Sequence, residues 1–160
     1  MPGLKEREER VDSASRIVGA APKAVYAAFV QPDAVAAWLP PQGMAGRVDS
    51  FDPRPGGDFC ITLTYRDAHE ATPGKTSEHS DSVKGRFVEL FPHDRIVQAV
   101  SFVSDDPAFT GEMTMTWTFA AVAGGTKVEI RCTSVPSGIA KQEHDEGLRS
   151  TLENLAAFVE

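Results

Sequence analysis

Residues 113–119 read MTMTWTF, and this pattern commits the stretch to one kind of structure. Met113, Met115, Trp117 and Phe119 share one parity, and a threonine separates each from the next. Side chains alternate across a β-strand, so a strand here has one wholly apolar face and one wholly hydroxylated face. Threonine, being β-branched, suits a pleated backbone with a wet side. Such a strand needs neighbours to pair with and an apolar layer against one face. Further period-two runs recur at about 44–51, 58–65, 82–91, 95–102 and 126–133. Between them PRPGG, FPHD and AVAGG supply proline and glycine where hairpin turns need them. Six strands in this succession form an antiparallel meander. In the last of them Val128, Ile130 and Cys132 point one way and Lys127, Glu129 and Arg131 the other, so the sheet is covered on one side only.

The remaining segments supply the cover. VDSASRIV, 11–18, fits a first strand. Pro22 is suited to the first position of a helix, where its missing N–H would be unpaired anyway, and PKAVYAAFV spaces Val25, Tyr26, Phe29 and Val30 at helical intervals. A second short helix, DAVAAWL, begins at Asp33 and stops at Pro40-Pro41. Only SGIAKQEHDEGLRSTLENLAAFVE is then long enough to cross the sheet as a helix, at about 20 residues and ~30 Å. The predicted fold is α+β, a curved antiparallel sheet wrapped around a long C-terminal helix, with two short helices after the first strand. With 160 residues and 41% hydrophobic content, one core and one domain over 11–160 are expected, preceded by a flexible arm over 1–10.

The charge balance narrows the partners. The chain carries 16 basic and 23 acidic residues, a formal net charge of −7, with the basic residues scattered, so neither nucleic acid nor an anionic bilayer is an expected partner. MPGLKEREER is charged and has no apolar run behind it, and no stretch of about 18 apolar residues occurs, so no membrane insertion and a cytoplasmic location are expected. Cys60 and Cys132 match no metal-binding spacing, and strand parity puts them on opposite faces, which predicts free thiols.

The final helix raises the question of a ligand. At 100° per residue its sheet-facing stripe passes through Lys141, His144, Leu148, Thr151, Leu152, Leu155 and Val159. From Leu152 onward the stripe is apolar and can seal a core. Its first half carries Lys141, His144, one leucine and the neighbouring Gly147, and glycine inside a helix costs about 1 kcal/mol relative to alanine. A cavity is therefore expected under that half. Its predicted walls are Phe59, Ile61, Leu63 and Tyr65, then Phe87, Met113, Met115 and Trp117, with Trp38 at the entrance and His144 and Leu148 above. The long segment from Arg66 to Ser82 has no apolar periodicity and reads as a lid or a floppy insertion.

Catalytic chemistry has few candidates. Consecutive helical residues diverge, so EHDE cannot converge on one metal, and only His144 faces inward. As a general base His144 would need Tyr65 or Gln98 within reach. His69, Glu70, Glu78 and His79 match no metal-site spacing, and Asp52 and Asp58 are explained as turn residues. Arg86 lies opposite Phe87 and is assigned to the surface. No metal and no cofactor are expected.

AWLPPQGMAGRVDSFDPRPGGDF, GRFVELFPHDRIVQAVSF, TMTWTFAAVAGGTKVEI and EGLRSTLENLAAFVE together resemble the bacterial branch of the START-like, helix-grip (SRPBCC) superfamily. More narrowly they are similar to domains named after the activator of the heat-shock-protein-90 ATPase, over roughly residues 12–160. The resemblance implies the same fold and a hydrophobic pocket between sheet and long helix, used across the superfamily for lipids and other small apolar molecules. Many relatives have Gly-Trp in the last helix where this chain has Gly147-Leu148, so ligand preference does not carry over. The leading functional expectation is a protein that binds a small hydrophobic ligand. The alternatives are an aromatase, cyclase or hydrolase type of enzyme using His144 and a co-chaperone-like partner module, with homodimerisation left open.

Overall fold

The alternating runs become seven antiparallel strands in a computed structural model that describes residues 10–40, 44–65, 80–102 and 111–160, with backbone alone at 44, 65, 80–82 and 102. They are β1 (Val11–Val18), β2 (Met44–Phe51), β3 (Asp58–Tyr65), β4 (Ser80–Phe91), β5 (Arg95–Phe102), β6 (Gly111–Val122) and β7 (Gly125–Thr133). Three helices accompany them: α1 (Pro22–Val30), α2 (Pro32–Trp38) and α3 (Lys141–Val159). The sheet order is β1-β7-β6-β5-β4-β3-β2. Strands β2 to β7 form the expected meander, and β1 returns to pair with β7, so β1 and β2 end up on opposite edges.

That separation dictates what the two short helices do. A chain leaving one edge of a seven-stranded sheet must travel about 29 Å across it to begin the other edge, given the ~4.8 Å strand spacing. Helices α1 and α2 make this crossing over the inner face, α1 against β6 and β7 and α2 against β2. Their junction is Gln31, held extended at φ −115° and ψ 121° because the proline that follows disfavours helical backbone at the residue before it. Gly46 lets β2 run close under α2, since a Cβ there would come within 2.7 Å of the Pro40 ring and 3.1 Å of the Ala36 carbonyl.

The register sets the inner face. Met113 sits opposite Val100, Met115 between Gln98 and Cys132, and Trp117 between Ile96 and Ile130. Irregularities at Val48/Ser50 and Phe87/Glu89 shift the register of β2 and β4, and bulges of this kind bend a strand and increase its twist. Helix α3 lies chiefly along β1 and also touches α1 and α2. Its buried residues are Leu148, Leu152, Leu155 and Ala156.

Three expectations need amendment. Arg10 is not part of a free arm: its guanidinium binds Asp12 and the Ile139 carbonyl, the latter at 2.7 Å. Residues 80 and 81, expected in the long loop, begin β4, and residues 66–79 of that loop lie outside the described residues, as do residues 1–9 of the arm. Gly147 neither admits a close neighbour nor faces the interior. It is exposed, and a Cβ there would have no neighbour within 4 Å. Cys60 and Cys132 are free, the first partly exposed and the second buried. Among the described residues no helix is long and apolar enough to cross a membrane.

Candidate functional site: an apolar recess under the short helices

Between the crossing helices and the sheet lies a recess of about 260 Å³. Phe29 of α1 and Val35, Trp38 and Leu39 in and after α2 form its roof. Phe51, Phe59, Ile61 and Leu63 wall it from β2 and β3, and Val83 of β4, Val100 of β5 and Met115 and Trp117 of β6 complete the floor. Gln98 of β5 is the one polar side chain among the described residues of the lining. No residue of α3 contributes.

One wall is an aromatic cluster. The Phe29 ring lies 4.9 Å from Trp38, 4.7 Å from Trp117 and 5.2 Å from Phe119, centre to centre, and the two indoles are 6.1 Å apart and nearly perpendicular. Such tilted and edge-on geometries are the favoured ones for aromatic pairs. Each buried indole N–H has a partner. Trp38 Nε1 donates to the Ala28 carbonyl at 2.8 Å, satisfying one of the acceptors left over at the end of α1, and Trp117 Nε1 donates to Gln98 Oε1 at 3.1 Å.

Of the residues singled out in the sequence, Trp38, Phe59, Ile61, Leu63, Met115 and Trp117 line this recess. Phe87 and Met113 do not. Phe87 is wholly buried between the rings of Phe51 and Phe59, at 5.5 and 5.2 Å, and Met113 is buried in the core. Leu148 is buried on the inner stripe of α3, away from the recess. The Tyr65 side chain lies outside the described residues. The roof residues Phe29, Val35 and Leu39, together with Phe51, Val83 and Val100 of the sheet, were not among the predicted walls. Their spacing shows that they are apolar and inward, and only the sheet order reveals which part of the sheet they cover.

The space expected under the first half of α3 is occupied by an ionic anchor. Asp12 on β1 is fully buried, and three cationic or imidazole groups converge on it. Arg10 approaches with Nε at 3.0 Å from Oδ1 and Nη2 at 2.8 Å from Oδ2, and His144 Nδ1 lies 2.7 Å from Oδ2. Lys141 Nζ is 3.4 Å from Oδ1 and donates to the Val11 carbonyl at 3.1 Å. Burial alone would raise the carboxyl pKa, but the hydrogen bonds from Arg10 and His144 outweigh it and hold Asp12 at about 2. His144 is thus tied to Asp12 while Gln98 binds Trp117, and His144 is not among the described residues that line the recess. Cys132, opposite Asp12 in the sheet, is pushed up to about 12 by burial, with the Asp12 and Asp145 charges adding, so the thiol is unreactive. Asp12 was invisible in the sequence because the inward positions of β1 read Asp, Ala, Arg, Val, while apolar Ile17 points out with 57% exposure.

On the outer face, Arg86 pairs with Glu112 at the surface, as its parity predicts. Asp52 and Asp58 close the β2–β3 turn through the Asp52 N–H to Asp58 carbonyl bond at 3.0 Å. No group of three or more potential metal ligands occurs among the described residues.

Solved structures share this architecture over nearly the whole chain. A protein from Chromobacterium violaceum is 31% identical, with a TM-score of 0.79 over 93% of this chain and 96% of that one. An AHSA1-like protein from Aeromonas hydrophila is 19% identical, with a TM-score of 0.74 over 94% and 92%, and a protein from Rhodobacter sphaeroides is 20% identical, with a TM-score of 0.74 over 92% and 90%, so these two speak for the fold alone. No curated protein matches the sequence. The model of the activator of Hsp90 ATPase homolog 1-like proteins matches residues 19–160, from before α1 to the end of α3, and the chain belongs to that family.

Proposed function

We propose that the protein binds one small apolar molecule in the recess between α1, α2 and strands β2 to β6. The observation that carries this reading is a lining in which, among the described residues, only Gln98 is polar, around about 260 Å³ that the described side chains leave unfilled. Protein interiors are close-packed, so a void of this size is an exception that a ligand would repair. A cavity of ~150 Å³ accepts benzene, and drug-sized ligands occupy roughly 300–1,000 Å³, so the expected guest is a one- or two-ring compound or a short acyl chain. Burying about 300 Å² of its surface at ~25 cal/mol per Å² yields a gross ~7 kcal/mol, equivalent to ~10 μM before association costs, and those costs weaken the net affinity towards the millimolar range.

The use of such pockets across the superfamily that the sequence resembles supports the same reading. The catalytic alternative rested on His144, and that residue is bonded to Asp12 outside the recess.

Both tryptophans of the chain line the recess, so intrinsic fluorescence reports on this place and no other. Titration with naphthalene-sized aromatics and medium-chain fatty acids is expected to change the emission of Trp38 and Trp117 saturably. Native mass spectrometry of freshly purified protein is expected to retain an adduct. Unchanged emission with both ligand classes at millimolar concentration, together with an adduct-free mass, would sink the proposal.

A further inference from the structure

Gln98 determines what kind of apolar molecule fits. An indole N–H can only donate, so the bond from Trp117 Nε1 at 3.1 Å fixes the orientation of the Gln98 carboxamide, with its oxygen turned to Trp117. One of the oxygen's two lone pairs is thereby taken, while the amide nitrogen at the other end of the plane carries two hydrogens that none of the described residues accepts. Among the described residues no hydrogen bond from that nitrogen is found, and Gln98 carries the single polar side chain of the described lining. A pure hydrocarbon seated against it would strip water from a donor and give nothing back, a penalty that a carbonyl or ether oxygen would remove.

Resting on the ligand-binding reading above, we infer that the recess selects apolar molecules bearing a hydrogen-bond acceptor, a ketone, ester, lactone or similar oxygen placed to receive the Gln98 Nε2–H. Trp117 then has two roles. Its ring is a wall, and its N–H is a positioning group that keeps Gln98 in the donating orientation. The acceptor belongs on the guest at the β5–β6 side of the recess, and the hydrocarbon part belongs under Phe29, Val35 and Trp38.

The test compares acetophenone with α-methylstyrene, near-isosteres in which C=O is replaced by C=CH₂, on the full-length protein and on Gln98→Met. Affinities are read from the indole and side-chain amide resonances in ¹H–¹⁵N spectra. The alkene starts with an advantage in hydrophobicity, so the quantity that decides is the change produced by the substitution. Gln98→Met is expected to weaken acetophenone roughly three- to tenfold while α-methylstyrene stays within about twofold, the difference a single buried hydrogen bond makes. In the unsubstituted protein, acetophenone is also expected to move one Gln98 Nε2–H proton downfield, and α-methylstyrene is not. Retained alkene binding certifies that the variant is folded. If both probes bind the unsubstituted protein and the substitution changes them equally or not at all, the acceptor requirement is overturned while the recess remains a binding site. If neither binds it, the ligand-binding reading fails and takes this inference with it.

Discussion

The two ends of the inner sheet face exclude water by opposite means. At the β1–β7 end, α3 presses leucines onto the sheet, and its first turn is held by a buried carboxylate that gathers Arg10, His144 and Lys141. At the β2–β6 end, two short helices span what one long helix would have filled, with only 9 and 7 residues, and an apolar space remains beneath them. Polar groups concentrate where the fold is shut, and the unfilled volume is nearly all hydrocarbon. The lesson is that a titratable residue on the inner face is a poor guide to the binding site in this chain. It marks the fastening of a helix.

Breaking that contrast should have its largest effect at the anchor. Asp12→Ala is expected to lower unfolding stability by about 3 kcal/mol in chemical denaturation. That is the low end for breaking a buried ion pair, because the abandoned Arg10 and Lys141 are 26% and 54% exposed and can rehydrate. The same carboxylate predicts an acid limit. Its folded pKa of about 2 lies below the ordinary 3.8, so its contribution, about 2 kcal/mol, is fully present above pH ~4 and disappears as pH falls through about 2. Stability measured between pH 5 and pH 2 should decline less steeply in Asp12→Asn than in the unsubstituted protein.

At the other end, Leu63→Trp should fill the recess and weaken apolar ligands by more than about tenfold, with a smaller change in melting temperature than Asp12→Ala produces. Undiminished binding by that variant would mean the ligand sits elsewhere. His144→Ala separates the two regions directly. It removes one hydrogen bond to Asp12, costs about 1 kcal/mol of stability, and leaves ligand affinity unchanged, so a loss of affinity with intact stability would reinstate His144 as part of the site. The smallest effect is a gain. Gly147→Ala has open space around the new methyl group in an exposed helix interior and should add about 0.5–1 kcal/mol.

What the sequence disclosed follows from what alternation can encode. MTMTWTF and the runs around it specify strands, parity and meander, and even most boundaries agree with the structure, because period two is a local property. The position of the recess is not local. Trp117, Met115, Ile61, Phe59 and Trp38 were recognisable as inward-facing, whereas Phe29 and Leu39 become neighbours of Ile61 only through the crossing that the sheet order imposes. Gly147 misled for a related reason. A glycine in a helix signals either a tight contact or an absence of any requirement, and composition cannot distinguish the two. His144 was read as facing inward and is half-buried, but its partner comes from a strand 132 residues earlier whose pattern gave no hint of an interior acid.

The pairing of Val11 with Thr133 has a kinetic implication. Neighbouring hairpins of the meander can zip together through short connections, but the rung that joins the first strand to the last must close a loop spanning about three-quarters of the polypeptide, and such contacts are the slowest to become worthwhile. The anchored end should therefore be the last part to assemble, so weakening Asp12 should accelerate unfolding in stopped-flow measurements and leave the refolding rate almost untouched.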